Sequence, residues 1–273
     1  MYVLENLTWM QAKEAFAKCK TAIIPWGSTE QHGRHLPIGT DWFVAEFMME
    51  ELKKSDYPAI ITPVLPIGYA DYHCDFPGSL SFSYDTVRAM ATDICNRLIP
   101  YGITHILFFN CHGGNAAPLN SVCYELRKKG IVAGLFMWFE LAGKLNEKWA
   151  ALGHADALET SVIMAHKPGL VDTSAAKRPV HNDFAGMKMP DVNLLLYKGV
   201  MPVHLTLRVQ DISACGSILE PHLCPGADKG QWIEDSSPET AKEARKAVIE
   251  HVVGFLAEFE KLSFKALPSP TLS

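Results

Sequence analysis

The sequence predicts an α/β sandwich of three layers, built on a mostly parallel central sheet. Three observations carry that expectation. Short apolar, β-branched runs recur at 21–25, 59–65, 105–110 and 131–139, with the length and composition of strands buried on both faces. Helical periodicity fills the intervals between them, and such alternation belongs to a parallel sheet with helices on both sides. The chain has 273 residues, which suits one large α/β domain.

Taken in order, residues 8–19 read as a short helix and 21–25 as the first long strand. A loop rich in Gly and Pro follows, IPWGSTEQHGRHLPIGTDW over 24–42. A helix is expected over 41–54, with Asp41 as its N-cap because Asp is favoured there. Strand 59–65 leads into a loop over 66–83, and a helix over 86–100 precedes strand 105–110. That strand runs into Cys111-His112-Gly113-Gly114-Asn115. Helix 118–129 is closed by Gly130, a residue suited to the left-handed position after a helix. Strand 131–139, a helical segment to 153 and a helix over 155–166 complete the alternation. The stretch 167–236 is expected to be loop-rich, with a short strand over 202–209. Ser236-Ser237-Pro238 announces a terminal helix over 238–262. Residues 1–262 are thus one domain and 263–273 a loosely held tail.

Bulk properties exclude several classes. A net charge of −5 with both signs interspersed leaves no basic patch for nucleic acid or an anionic membrane. No apolar run approaches the roughly 20 residues needed to cross a bilayer. The first residues lack the basic and apolar regions of a signal peptide. Seven cysteines, irregularly spaced and without a CxxC pair, are expected to be reduced, in a cytoplasmic protein.

Chemistry concentrates in three stretches: Glu30-Gln31-His32 with Asp41, then His112-Gly113-Gly114-Asn115, then His154 through Glu159. Open α/β sheets bind ligands beyond the carboxyl ends of their strands, and the first two stretches directly follow strands. Carboxylates and neutral imidazoles are ligands for divalent ions of borderline hardness. In an extended segment Glu30 and His32 point the same way, so they can address two neighbouring ions. Asp41, brought back by the turn, can bridge the pair, and His112 adds a nitrogen. Two ions about 3.5–4 Å apart can activate a water between them. Glu159 is the candidate for a further ligand, and His154 for stabilising a developing oxyanion or moving a proton, work to which the ordinary pKa of a histidine is suited. Taken singly, each of these is by default a hydrogen-bonding residue; their convergence at strand ends is what points to a metal site. His35 is expected to hold a ligand or the loop. Arg34, Tyr69, Tyr72, His73, Phe76, Trp138 and Trp149 are candidates to line a pocket, and Asn115 either holds the HGGN turn or binds substrate. Cys111 would face away from His112, Ser28 lacks a GxSxG elbow, and no glycine fingerprint or Walker lysine is present.

Four motifs, GSTEQHGRHLPIGTD at 27–41, FPGSLSF at 76–82, NCHGGN at 110–115 and HADALETS at 154–161, together resemble the creatininase (creatinine amidohydrolase) family over about residues 3–260. The resemblance implies a three-layer α/β sandwich, two divalent ions (zinc, manganese or iron) and a homohexamer. It implies Glu30, Asp41 and His112 as ligands of one ion, and His32, Asp41 and a carboxylate as ligands of the other. Creatininase proper takes a Glu two residues after the histidine of HGGN; here that position is Gly114, and Glu159 becomes the candidate. His154 matches the family's catalytic histidine. The implied reaction is hydrolysis of a C–N bond in a small polar, cyclic amide; Arg34, Tyr72, His73 and Asn115 are the candidate substrate contacts. Members of the HGGN form include enzymes that open cyclic inositol-derived ketones, so C–C hydrolysis is the alternative. A Rossmann-like nucleotide-binding module, or a non-catalytic metal-stabilised protein, is the reading from another class.

Overall fold

The computed structural model describes residues 1–149, 153–219 and 232–267. Its centre is a five-stranded, wholly parallel sheet of β1 (Tyr2–Val3), β2 (Thr21–Trp26), β3 (Ala59–Ile61), β4 (His105–Asn110) and β5 (Val132–Met137). The spatial order is β1-β3-β2-β4-β5. In register, Thr21 pairs with His105 and Trp26 with Asn110, so β2 and β4 end level and deliver their loops side by side.

Side chains along these strands alternate between two cores. Ile23, Ile61, Leu107 and Phe109 pack on one face against α2 (Thr40–Leu52), α5 (Trp138–Leu145), α6 (Ala157–His166) and α8 (Pro238–Phe259). Ala22, Ile24, Trp26, Ile60, Ile106 and Phe108 pack on the other against α1 (Trp9–Phe16), α3 (Tyr84–Leu98) and α4 (Ala116–Lys128). Every residue of β2 and β4 is buried, which is why both read as unbroken apolar runs rather than alternating ones.

Local signals set the helix starts. Thr8 and Gln11 form a capping box on α1, Ser83 caps α3, and Ser237 caps α8 with Pro238 at its first position. These caps satisfy amide hydrogens that the first turn leaves without partners. Asp41 is not the cap of α2; Gly39 is, and Asp41 lies inside the first turn, which frees its carboxylate.

Several expected bounds move for physical reasons. Strand 59–65 stops at Ile61, since Pro63 and Pro66 have no amide hydrogen to donate; pairing resumes only at Leu65, whose amide donates to Pro25. The helix expected over 155–166 begins at Ala157, and His154 lies before it, on β6 (Gly153–His154), paired antiparallel with β10 (Ile218–Leu219). Ala155 then turns the chain at φ 57°, and Asp156 caps α6 by accepting from Leu158 and Glu159 amides. The region expected to be loop-rich contains an antiparallel sheet of β7 (Lys188–Asp191), β8 (Leu194–Tyr197) and β9 (Met201–His204), followed by the short α7 (Val209–Ile212). The strand expected over 202–209 is β9, with Pro202 on an edge where a missing amide hydrogen is tolerated. Of the expected tail, Leu267 donates its amide to Lys128 and Arg127 reaches the Lys265 carbonyl; 268–273 lie outside the described residues.

Candidate metal centre

The site forms beyond the carboxyl ends of β2 and β4. From Trp26 the chain turns at Gly27, where a Cβ would sit 2.6 Å from the Trp42 Cα; this contact lets the motif run beside the start of α2. Ser28, Glu30 and His32 follow at alternate positions, all fully buried. Asp41 enters from the first turn of α2, His112 from two residues past β4, and Glu159 from the first turn of α6.

Hydrogen bonds at the far side of each ring fix which nitrogen faces the cluster. His32 donates from Nδ1 to the Glu30 carbonyl at 3.0 Å, so Nε2 stands 3.1 Å from Asp41 Oδ1 and 3.8 Å from Glu159 Oε1. His112 donates from Nε2 to the Tyr69 carbonyl at 2.9 Å, so Nδ1 stands 3.1 Å from both Glu30 Oε2 and Asp41 Oδ2. Histidine ligands are commonly held this way, the second nitrogen donating to a carbonyl or carboxylate. Ser28 Oγ donates to Glu30 Oε2 at 2.9 Å, and Glu159 Oε2 accepts the Ala155 amide at 2.8 Å.

The cluster calls for positive charge. Burial disfavours the imidazolium form of His32 and His112, yet Asp41 with Glu159, and Glu30 with Asp41, outweigh it and raise both well above the usual histidine range. Burial likewise opposes ionisation of Asp41 and Glu159, and the neighbouring histidines hold both carboxyls below their ordinary values. Glu30 Oε1 and Asp41 Oδ2 are buried with no well-aligned hydrogen bond, their nearest polar neighbours being His73 Nε2 and His112 Nδ1, each 3.1 Å away; a cation among these groups offsets the cost of burying the carboxylates. Donor atoms of Glu30, Asp41 and His112 lie within 4.8 Å of one another, as do those of His32, Asp41 and Glu159, with Asp41 common to both. A set of mixed carboxylate and imidazole donors fits divalent ions.

The expected residues divide by position. Glu30, His32, Asp41, His112, His154 and Glu159 are brought together; His154 is also within the same distance of Glu30 and His32. Tyr72 and His73 border the cavity, but the His73 ring lies buried with Nε2 3.1 Å from Glu30 Oε1. Asn115 is buried and used by the protein itself, donating to Gly27 and Asn110 and accepting from the Tyr69 amide. Arg34 is exposed, and neither it nor Phe76 nor Trp149 lines the cavity. His35 holds the loop: its Nε2 lies 3.1 Å from Thr160 Oγ1, whose own hydrogen goes to the Asp156 carbonyl. Cys111 is buried and stays a thiol, since burial raises it well above the usual range.

Sequence reading missed Ser28 as a partner of Glu30, although its place two residues before Glu30 in an extended stretch was a signal. It also missed the far wall. The cavity holds about 550 Å³ and is closed by Val192, Asn193, Thr206, Leu207 and Arg208, from or beside the β7–β9 sheet. Arg208 pins this wall to the loop bearing Tyr72 through Asp71 and Asp75. Gly114 explains its own identity: a Cβ there would lie 2.1 Å from the Tyr69 carbonyl oxygen and 2.5 Å from His112 Nε2. The side chain is absent where the bond that orients His112 must pass.

A parallel sheet wrapped by helices, with carboxylates and imidazoles converging at its carboxyl edge, defines an α/β protein with a candidate metal centre. The chain belongs to the creatininase family: the family model described as creatinine amidohydrolase matches residues 5–259. Among characterised relatives, a mycofactocin precursor peptide peptidase of Mycobacterium ulcerans is 30% identical over 165 residues, 55% of this chain and 60% of that protein. The chain therefore matches less than two thirds of that relative's length. A creatinine amidohydrolase of Pseudomonas putida is 26% identical over 190 residues, 61% of this chain and 72% of that protein. A 3-dehydro-scyllo-inosose hydrolase of Thermotoga maritima is 24% identical over 185 residues, 62% of this chain and 59% of that protein. A solved creatininase of Zn-Zn type superposes with a TM-score of 0.66 at 20% identity, covering 94% of this chain and 97% of that one. A manganese creatininase gives 0.65 at 21% identity with the same coverage, 94% and 97%; at this identity the likeness speaks for the fold.

Proposed function

We propose that the chain is a metal-dependent hydrolase that cleaves the C–N bond of a small polar, cyclic amide. The observation that carries this reading is the convergence of Glu30, His32, Asp41, His112 and Glu159 on a shared space, with both histidines locked by backbone carbonyls. Two divalent ions are assigned, one to Glu30, Asp41 and His112 and one to His32, Asp41 and Glu159; zinc and manganese fit these donors. When bound, such ions activate water and polarise a carbonyl.

The remaining roles fall to the protein. His154 is half-buried, and desolvation together with the neighbouring His32 lowers its affinity for protons, so it starts the reaction neutral and ready to accept one. It then returns that proton to the departing nitrogen. Tyr69, Tyr72 and Trp138 wall the cavity and hold the ring of the substrate against the carboxylate cluster. His73 supports Glu30 rather than the substrate. The six described cysteines are free, in keeping with a reducing, cytoplasmic setting. The homohexamer implied by the resemblance is part of this reading, and analytical ultracentrifugation checks it.

Asp41→Ala is expected to abolish hydrolysis and bring bound metal toward zero. Retention of two metals per chain with normal turnover contradicts the reading. A substrate panel of cyclic amides, linear peptides and cyclic ketones fixes the bond. The likeness to an inosose hydrolase gives the ketone arm its place, because a ketone offers the same electrophilic carbonyl; selective turnover there replaces the C–N assignment with C–C cleavage.

A further inference from the structure

Gln31 lies buried between His73 and His154, and its amide has more neighbours than hydrogens. Its Nε2 is 3.0 Å from His73 Nδ1, 3.0 Å from the Gly216 carbonyl and 3.1 Å from His154 Nε2. Two backbone groups fix which end of the amide is which. The Gly33 amide donates to Oε1 at 3.0 Å, and the Gly216 carbonyl can only accept, so Nε2 faces the histidines.

The hydrogens can then be placed. His154 Nε2 is 2.7 Å from the carbonyl oxygen of Gln31 itself. A carbonyl only accepts, so His154 carries its hydrogen on Nε2, and that N–H cannot also receive one from the amide. The two amide hydrogens therefore go to the Gly216 carbonyl and to His73 Nδ1. A neutral His73 that accepts at Nδ1 carries its hydrogen on Nε2, which stands 3.1 Å from Glu30 Oε1. One residue thus sets both rings.

The surroundings are shaped to hold it. Gly216 has φ 85°, and a Cβ there would lie 2.0 Å from Gln31 Oε1. Gly33 has φ 64°, and its Cβ would lie 2.3 Å from Ser217 Oγ. Only glycine combines that backbone with that approach. The 213–218 loop closes on the Gln31 amide and then pairs, through Ile218, with His154.

We propose that Gln31 is a positioning residue that places the hydrogen on Nε2 of both His73 and His154. This turns an N–H toward the carboxylate of Glu30 and leaves Nδ1 as the ring nitrogen of neutral His154 that carries no hydrogen. The consequence for His154 rests on the hydrolase reading; the placement of hydrogens does not.

The test is nitrogen NMR of ¹⁵N-histidine-labelled protein, metal-free and zinc-loaded, with the two rings assigned through His73→Asn and His154→Asn. Both rings should show the Nε2–H form. In Gln31→Met, which fills the same space without hydrogen bonds, His154 should keep that form because the backbone carbonyl remains, and His73 should lose it. In Gln31→Glu, His73 should carry its hydrogen on Nδ1. Zinc affinity, read by competition with a chromophoric chelator, should fall at least tenfold in both variants, since partners of ligands typically control affinity by about 10–100-fold. An Nδ1–H His73 in the unmodified protein overturns the proposal even if neither variant folds. So does an unchanged tautomer with unchanged zinc affinity in Gln31→Met. Neither readout uses turnover, so a failed hydrolase assignment leaves this result standing.

Discussion

Gly114 carries a chemical instruction in the absence of a side chain. Its hydrogen leaves open the path from His112 Nε2 to the Tyr69 carbonyl, and any Cβ would press on both atoms. Gly114→Ala is expected to turn His112 and weaken zinc binding by about 10–100-fold, measured by zinc titration. For the same reason a glutamate at this position would displace the orienting bond rather than add a ligand. His35 makes a second prediction. Burial lowers it from 6.5 to about 4, so the folded protein prefers the neutral ring while the unfolded chain takes a proton near 6.5. The stability tied to His35 is therefore present above pH 6.5 and is lost as pH falls toward about 4. Denaturant unfolding of metal-free protein across that window should show a flatter pH dependence in His35→Gln than in the parent; equal slopes contradict it.

Individual elements matter through their ends. Strands β2 and β4 finish in register, so two loops far apart in sequence meet without any special contact between them. Helix α6 reaches the site through its first turn, where Asp156 accepts from the Leu158 and Glu159 amides. Asp156→Ala removes that cap and should cost about 1 kcal/mol of stability, read as a lower midpoint in denaturant. It should also loosen the second ion more than the first, because Glu159 sits on the same turn and Glu30 does not; equal loss at both contradicts this assignment. The antiparallel β7–β9 sheet lies outside the layered core and supplies much of the far wall of the cavity. Strand β9 was legible in sequence, whereas β7 and β8 were hidden by short length and by nearby Pro and Gly, which mimic a loop.

At the scale of the whole molecule, the centre joins segments from residue 30 to residue 159, so ion binding should report on the complete fold. Removing metal with a chelator should lower the thermal midpoint, and zinc or manganese should restore it. A ligand at 100 times its dissociation constant adds about 2.7 kcal/mol, and differential scanning calorimetry would detect that. An unchanged midpoint after verified metal loss contradicts a centre of this kind. By itself the sequence determined the layered α/β class and the long strands, and it singled out Glu30, His32, Asp41 and His112 as candidate donors, because strand burial and side-chain chemistry are local properties. Glu159 was legible only as a candidate, since nothing in its neighbours says which way the first turn of α6 faces. Three features came only with tertiary structure: the ring nitrogens that face the Tyr69, Glu30 and Gln31 carbonyls, the contacts of Asn115 and His73 with other protein groups, and the wall from 192 to 208. Apart from the local His32–Glu30 contact, these depend on which groups from distant segments face one another, and a chain carries that information only when folded.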